Sequence, residues 1–232
     1  MKKFLIIAVV FSLLSSVSYA QKEAYTENRE IGKFNAISSS TSIDVYITEG
    51  SSSTIKVEAN RQELLSRIKT EVRGNELKIS FDGRGNNFSN TKMKVYVTAK
   101  NLTAIKTSSS ADIHSIGELN AKDIDLVASS SGDIKLHLNA ENITCDASSS
   151  GDIELKGKAY SVKVNASSSG DVDMKNLIVK VAEVSASSSA DVDIHVTETL
   201  KARASSSADI KYWGNPKNVD KHQSSSGTIK AY

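Results

Sequence analysis

The chain has 232 residues, of which 39% are hydrophobic and 24% charged, with one proline and one cysteine. Its formal net charge of +2 provides no basic excess for binding phosphates, which argues against a nucleic-acid partner. A single cysteine excludes an intramolecular disulfide. After Ala20 no apolar run approaches the ~20 residues of a membrane helix, so no transmembrane segment is expected in the mature chain.

The N-terminal segment 1–20 predicts a secretory signal peptide. Lys2 and Lys3 form a basic start, residues 4–14 are apolar, and Ser18-Tyr19-Ala20 provides a cleavage site. Cleavage removes two of the 29 basic residues, leaving 27 to match the 27 acidic ones. No cysteine follows the apolar run, so a lipid anchor is not expected. We therefore expect export to the periplasm, the outer surface or the medium, with residues 21–30 as an N-terminal linker.

Residues 31–105 predict a β-rich N-terminal portion. Apolar residues alternate along several short segments, as in Ile43, Val45 and Ile47, which is the period of a β-strand. Glycine and asparagine separate these segments as turns. Between Arg61 and Arg73 the apolar spacing is mixed and indicates one short helical turn. We expect this portion to pack on the following repeats or to continue them.

Residues 106–232 are dominated by a repeat. Three serines, a small residue, an acid and a β-branched residue recur six times, and a seventh copy has threonine in place of the acid. The spacing between copies is nearly constant. A period of about 20 residues is typical of a solenoid, whose units bury their apolar faces only by stacking. The copies begin at Ser108, Ser129, Ser148, Ser167, Ser187, Ser205 and Ser224.

Each copy alternates apolar and polar residues, so the predicted fold class is all-β, a parallel β-helix with rungs of ~19–20 residues. Thirteen extended residues span ~43 Å, which the six or seven left over could not retrace. The rung must therefore bend, and we place the bend at the serines, where the side chains are small. Rung-to-rung differences in length are expected in a second, variable turn such as Lys156–Tyr160.

Alternation also predicts which side chains face inward. Counted in steps of two from the apolar residues, the middle serine of each copy falls on the buried face. This predicts an inner ladder from Ser109 to Ser225. The aspartates from Asp112 to Asp209 belong to the opposite, solvent-facing side. Cys145 shares its parity with Ile143 and Ala147, which indicates a small buried hydrophobe more than a reactive thiol.

The chain resembles a known bacterial family. Its serine- and glycine-rich repeats ending in Gly-Asp-Ile, the segment Leu102-Thr103-Ala104-Ile105 and the late segment Tyr212–Lys217 are similar to the putative autotransporter adhesins with a head GIN domain. The resemblance covers roughly Phe34 to Tyr232. It implies a secreted all-β repeat protein of the cell envelope, with adhesion as its working description. An autotransporter also carries a C-terminal membrane barrel, and none follows the last copy here, so we do not expect this chain to export itself.

The strongest candidate for chemistry is a group of four carboxylates. Asp171 and Asp173 share one outward face, and Asp191 and Asp193 take the same positions one rung later. Four like charges in that space must either raise a pKa or bind a cation, and Ca²⁺ accepts such oxygen ligands. The alternative is structural, because an aspartate beside a bend often accepts hydrogen bonds from nearby backbone. Apart from this candidate calcium site no cofactor is expected.

Enzymatic activity is not expected. Serine nucleophiles need a base within hydrogen-bond reach, and neither a Gly-x-Ser-x-Gly elbow nor a suitable histidine pairing is present. Polysaccharide-cleaving β-helices build clefts from long loops and aromatic side chains, whereas these turns are short. Trp213 is the best candidate for an exposed aromatic contact, with a role in capping the last rung as its alternative.

The sequence thus predicts a secreted, non-enzymatic envelope protein that binds a partner. The partner would be a glycan or a protein of the envelope or of a host surface, recognised by a flat face of serine and aspartate ladders. The aspartates Asp171, Asp173, Asp191 and Asp193, together with Trp213, are the predicted ligand-binding residues. The alternatives are a polysaccharide-active β-helix enzyme and a calcium-dependent binding module.

Overall fold

A computed structural model describes residues 24–84 and 90–232. The predicted signal peptide lies outside these residues. The fold is nearly all β and forms a solenoid of about seven turns, which confirms the predicted fold class. Within the described ranges no helix is long and apolar enough to span a bilayer.

The N-terminal elements are four strands, one helical turn and four more strands. They are β1 (Tyr25–Arg29), β2 (Ala36–Ser40), β3 (Asp44–Glu49), β4 (Thr54–Ala59), α1 (Gln62–Leu65), β5 (Ile68–Arg73), β6 (Glu76–Phe81), β7 (Met93–Ala99) and β8 (Ala104–Ser108). The repeat region adds eight strands. They are β9 (Ile113–Ser129), β10 (Ile134–Ser148), β11 (Ile153–Ser167), β12 (Val172–Ala186), β13 (Asp191–Ala204), β14 (Asp209–Trp213), β15 (Asn218–Gln223) and β16 (Thr228–Ala231).

Each long strand of the repeat region consists of two arms. In β10 the buried positions alternate through 134–140, two exposed residues follow at Glu141 and Asn142, and alternation resumes through 148. The parity change marks a bend, here called the wide corner, where the chain turns from its first arm to its second. Like residues of successive rungs pair in parallel, as Ile134 does with Ile153 and Cys145 with Val164. The apolar residues of both arms point into the solenoid and form one continuous core.

The serines form the other corner of the rung, as predicted, but the inner ladder of middle serines was wrong. The middle and third serines of all seven copies have positive φ, between 46° and 62°, and all are exposed. In six copies the N–H of the following glycine or alanine donates to the carbonyl of the first serine, at 2.9–3.3 Å. Two left-handed residues closed by such a bond are a type I′ turn. The small residue after the serines keeps the inward parity of both arms, whereas the middle serine, which shares that parity, points outward because its backbone is left-handed.

Length differences between rungs occur as bulges within the first arm and at the wide corner. Pairing shifts between Lys135 and His137 on the β9 side, and between Met174 and Ile178 and between Val179 and Val181 on the β13 side. The serine corners keep their register throughout. Extra residues are therefore absorbed within the first arm and at the wide corner, on the side of the rung where the sequence predicts the variable turn.

The N-terminal portion continues the solenoid and then closes it with antiparallel strands. Strands β2 and β3 form a preceding rung, because β2 pairs in parallel with β8 and β3 with β9. Beyond them β4 and β5 pair antiparallel with β7 and β6. Residues 25–29, predicted as linker, instead form β1 against β4. Arg29 fastens this edge by donating to the carbonyls of Leu65 and Ile68, each at 2.7 Å.

The interior becomes polar in the last rung. Val219, Lys221 and Gln223 of β15 occupy the places that Leu200, Ala202 and Ala204 hold one rung earlier. The Lys221 ammonium lies 4.6 Å from the centre of the Tyr212 ring, which is itself buried. Inward-pointing charge discourages a further strand from adding to a sheet edge. A polar outer rung is also how repeat proteins usually end.

Cys145 lies in the middle of the core and is fully buried, as predicted. Burial raises the pKa of its thiol, with Asp146 and Asp125 acting in the same direction. The thiolate is the reactive form of cysteine. We therefore expect no reaction with a disulfide reagent such as DTNB in the native protein at pH 8, and stoichiometric reaction after denaturation. Reaction of the native protein with DTNB at the rate of a free cysteine would contradict this burial.

Candidate functional site

The most regular exposed surface is the serine ridge, defined as the middle and third serines of the seven copies. It runs along one corner of the solenoid and presents two hydroxyls per rung. Successive rungs lie about 4.8 Å apart, the spacing of neighbouring strands. The ridge comprises Ser109, Ser110, Ser130, Ser131, Ser149, Ser150, Ser168, Ser169, Ser188, Ser189, Ser206, Ser207, Ser225 and Ser226.

The backbone of the serine ridge is held by bonds between rungs. In six places the N–H of a third serine donates to the carbonyl of the middle serine of the next rung, at 3.0–3.2 Å. Each turn is thus closed within its rung and tied to its neighbours. The hydroxyls project from a backbone that cannot easily rearrange, which is the kind of preorganisation that favours binding.

A column of aspartates borders the ridge, and part of it has the structural role considered above. Asp152 accepts a hydrogen bond from the Asp171 N–H at 3.0 Å, and Asp171 accepts one from the Asp191 N–H at 2.9 Å. Partial burial raises the pKa of Asp171, and this backbone bond partly offsets the effect. Asp152, Asp191 and Asp193 add repulsion that acts in the same direction as burial. Asp152 and Asp171 thus each use one carboxylate oxygen to accept a backbone N–H of the neighbouring rung.

Replacing Asp171 with asparagine separates this backbone role from the charge. The asparagine carbonyl can still accept the Asp191 N–H, while the repulsion disappears. Because the folded-state pKa of Asp171 is raised, its ionisation disfavours folding as pH rises through that pKa. We expect Asp171→Asn to stabilise the protein slightly at pH 7, by less than about 1 kcal/mol because solvent screens the group, and to have no effect at pH 3. Urea titrations at both pH values measure this, and destabilisation at pH 7 would contradict it.

The other predicted residues, Asp173, Asp193 and Trp213, gather around Lys175. The Lys175 ammonium lies 3.2 Å from a carboxylate oxygen of each aspartate and 6.0 Å from the centre of the Trp213 ring. Hydrogen bonds to Asp193 and Asp173 raise the pKa of Lys175. Trp213 is half-buried and stacks on Tyr232 with ring centres 5.3 Å apart. Tyr232 therefore covers one face of the Trp213 ring.

The four carboxylates therefore form two columns of different character. The Asp171 carboxylate accepts the backbone N–H of Asp191, whereas the Asp173 and Asp193 carboxylates share the cation Lys175. Over residues 24–84 and 90–232, no three acidic, histidine or cysteine side chains converge as a metal site requires. Calcium binding at these positions stays a prediction.

Sequence reasoning missed an aromatic column near the N-terminal end. Tyr46 stacks on Tyr96 at 5.3 Å and on His114 at 5.4 Å, and the Lys56 ammonium lies 4.3 Å from the Tyr96 ring centre. Tyr46 and Tyr96 occupy outward positions in alternating strands, and that signal could have found them. Because neighbours already cover the ring faces, the column is suited to joining rungs more than to stacking against a sugar.

Comparisons with known structures show the same fold. A crystal structure of a putative adhesin from Bacteroides fragilis superposes with a TM-score of 0.83 at 23% identity, covering 91% of this chain and 98% of that one. A putative adhesin from Parabacteroides distasonis gives 0.72 at 23% identity, with the same coverages. A putative lipid binding protein from Parabacteroides distasonis gives 0.69 at 21%, again with the same coverages.

Comparison at the sequence level identifies the family. No curated protein matches the sequence. Residues 33–216 match the family model described as putative auto-transporter adhesin, head GIN domain. This match spans most of the N-terminal portion and all but the last of the serine corners. The chain therefore belongs to the putative auto-transporter adhesin, head GIN domain family.

Proposed function

We propose that this protein is an adhesin-like envelope protein that binds a surface glycan along the serine ridge. Fourteen exposed hydroxyls on a fixed backbone are the observation that supports it. Each hydroxyl can both donate and accept, as can the hydroxyls of a sugar. One such bond contributes only about 1 kcal/mol, but an extended polymer that engages several rungs gains from each additional contact.

The choice of residue at the corners also supports a role for the hydroxyls. Type I′ turns strongly favour Asn-Gly, because both central residues have positive φ. Serine occupies both left-handed positions in each of the seven copies of the repeat. Turn geometry alone does not account for this choice, since asparagine and glycine would suit the backbone better.

Family membership and the names of the structural neighbours support a binding role at the cell surface or outside the cell. The turns at both corners are short, and the deep cleft of a polysaccharide-cleaving enzyme is not seen in the part of the chain that the structure describes. A glycan incubated with the protein should accordingly yield no new reducing or unsaturated ends.

The test is binding to a glycan array by the secreted protein and by a variant with three altered corners. The variant carries Asn-Gly in place of Ser149-Ser150, Ser168-Ser169 and Ser188-Ser189. We expect at least a 10-fold loss of affinity with no loss of thermal stability. The matched control is Ser51→Asn with Ser52→Gly, which changes an exposed serine pair outside the ridge.

Three outcomes would oppose the proposal. The first is equal binding by the parent and the three-corner variant. The second is a parent that binds no glycan on the array. The third is adhesion to cell envelopes that survives periodate oxidation of sugars but not protease treatment, because this would identify a protein partner instead.

A further inference from the structure

A second polar surface lies on the outer face of the second arms, beside the serine corners. Three parallel columns cross the last four rungs there. Counted from the wide corner toward the serine corner, the first column is Lys163, Glu183, Lys201 and Asp220. The second column is Asn165, Ser185, Arg203 and His222. The third consists of first serines of the repeat, Ser167, Ser187, Ser205 and Ser224.

The second and third columns enclose a depression of about 380 Å³, here called the serine trough. Its floor is low because Ser185 and the first serines are short. Asn165 stands at one end and donates its amide to Asp146 at 2.8 Å. Arg203 and His222, which are neighbours on adjacent rungs, stand at the other end.

Arg203 is the cation of the serine trough whose hydrogen-bond donors are not used among the residues that the structure describes. Its nearest carboxylate is Glu183, at 3.7 Å, and Glu183 also lies 3.9 Å from the Lys201 ammonium. One carboxylate thus serves two cations. In the described part of the chain the Arg203 guanidinium makes no hydrogen bond, and its side chain is half exposed. His222 adds a ring N–H on the same side.

A guanidinium has five donors in a planar fork that fits a carboxylate in bidentate fashion. The serines beside it offer hydroxyls to the rest of a ligand, as a sugar ring requires. We propose that the serine trough binds the carboxylate of a uronic-acid residue in an acidic glycan, with Arg203 as its main contact. This inference rests on the proposed function and names the glycan class that the protein would prefer.

The test compares three polymers as ligands for the full secreted protein: polygalacturonate, its methyl ester and dextran. The methyl ester keeps the sugar backbone but removes the charge. We expect polygalacturonate to bind at least 10-fold more tightly than either neutral polymer. Arg203→Gln should abolish that preference, because a lost charge-assisted hydrogen bond typically reduces affinity by roughly 10-fold or more. Arg73→Gln is the matched control, since Arg73 is an exposed arginine in the N-terminal portion, paired with Glu71 at 2.9 Å.

The outcomes separate this inference from the proposed function. If the ester and the acid bind equally, or if Arg203→Gln leaves the preference intact, the uronate site is wrong while ridge binding stands. If no glycan binds the parent, both are wrong. Inorganic phosphate that competes as well as free galacturonate would overturn the assignment to a carboxylate.

Discussion

Replacing Ser168 and Ser169 together with valine is expected to lower the free energy of unfolding by about 2 kcal/mol or more. Both residues are exposed and have φ of 52° and 58°. Left-handed backbone costs an ordinary L-residue such as serine roughly 1–2 kcal/mol, and a β-branched residue, for which it is a genuine outlier, roughly another 1 kcal/mol at each position. The neighbouring rungs cannot relax to accommodate the change, because the Ser169 N–H is bonded to the Ser188 carbonyl at 3.1 Å.

The opposite substitution at the same corner should stabilise the protein. Asn-Gly suits both left-handed positions, so we expect a gain of about 1 kcal/mol. Neither variant changes the buried surface, so the sign of the change in the free energy of unfolding depends on backbone conformation alone. Equilibrium urea unfolding measures both. Equal stability of the Val-Val and Asn-Gly variants would show that the corner is not a type I′ turn.

A carboxylate placed in the core should have the largest effect of any single substitution considered. Cys145 is fully buried among the apolar residues of the stacked second arms, with Leu126 and Val164 directly beside it. Cys145→Asp buries a charge without a partner, which typically costs about 3–5 kcal/mol. We expect a protein that is largely unfolded at 37 °C and partly rescued at low pH, where the carboxyl group is neutral.

Thr144→Asp is the matched control for this substitution. It introduces the same group one residue away but on the outer face, between Asp125 and Lys163. Opposing charges on its two neighbours leave an expected change of under about 1 kcal/mol. Circular dichroism melts of the two variants test the alternation directly. Similar melting temperatures would mean that residues 144 and 145 do not lie on opposite faces.

The rung-to-rung alignment of the repeats could be predicted because the motif recurs at nearly constant spacing. Asp173 and Asp193, predicted to take the same position in successive rungs, pair in the structure. Parity along the arms likewise identified buried residues such as Cys145. Strand β1 escaped prediction because its residues are almost all exposed and carry no apolar alternation.

Parity failed at the serines for a physical reason. Counting every second residue assumes an extended backbone, whereas two left-handed residues in succession carry the chain around the corner with both side chains outward. The alternation of the arms is the same on either side of the corner, so only the middle serine was misplaced. Lys175 follows Asp173 by two residues on the same outward face, but alternation does not show which partners a lysine contacts. In the structure its ammonium lies 3.2 Å from a carboxylate oxygen of both Asp173 and Asp193.

The sequence alone determined the period, the parallel stacking and the inward face of each arm, because these follow from local alternation and from a repeat that must bury its apolar side. Tertiary structure decided everything that depends on the direction of the chain at a corner. It turned the serines outward into a ridge and assigned aspartate oxygens to the backbone of the next rung. It also brought Arg203 and His222, which belong to successive rungs, to one end of the serine trough. Such placements depend on turn geometry and on contacts between rungs, which alternation within a single rung does not encode.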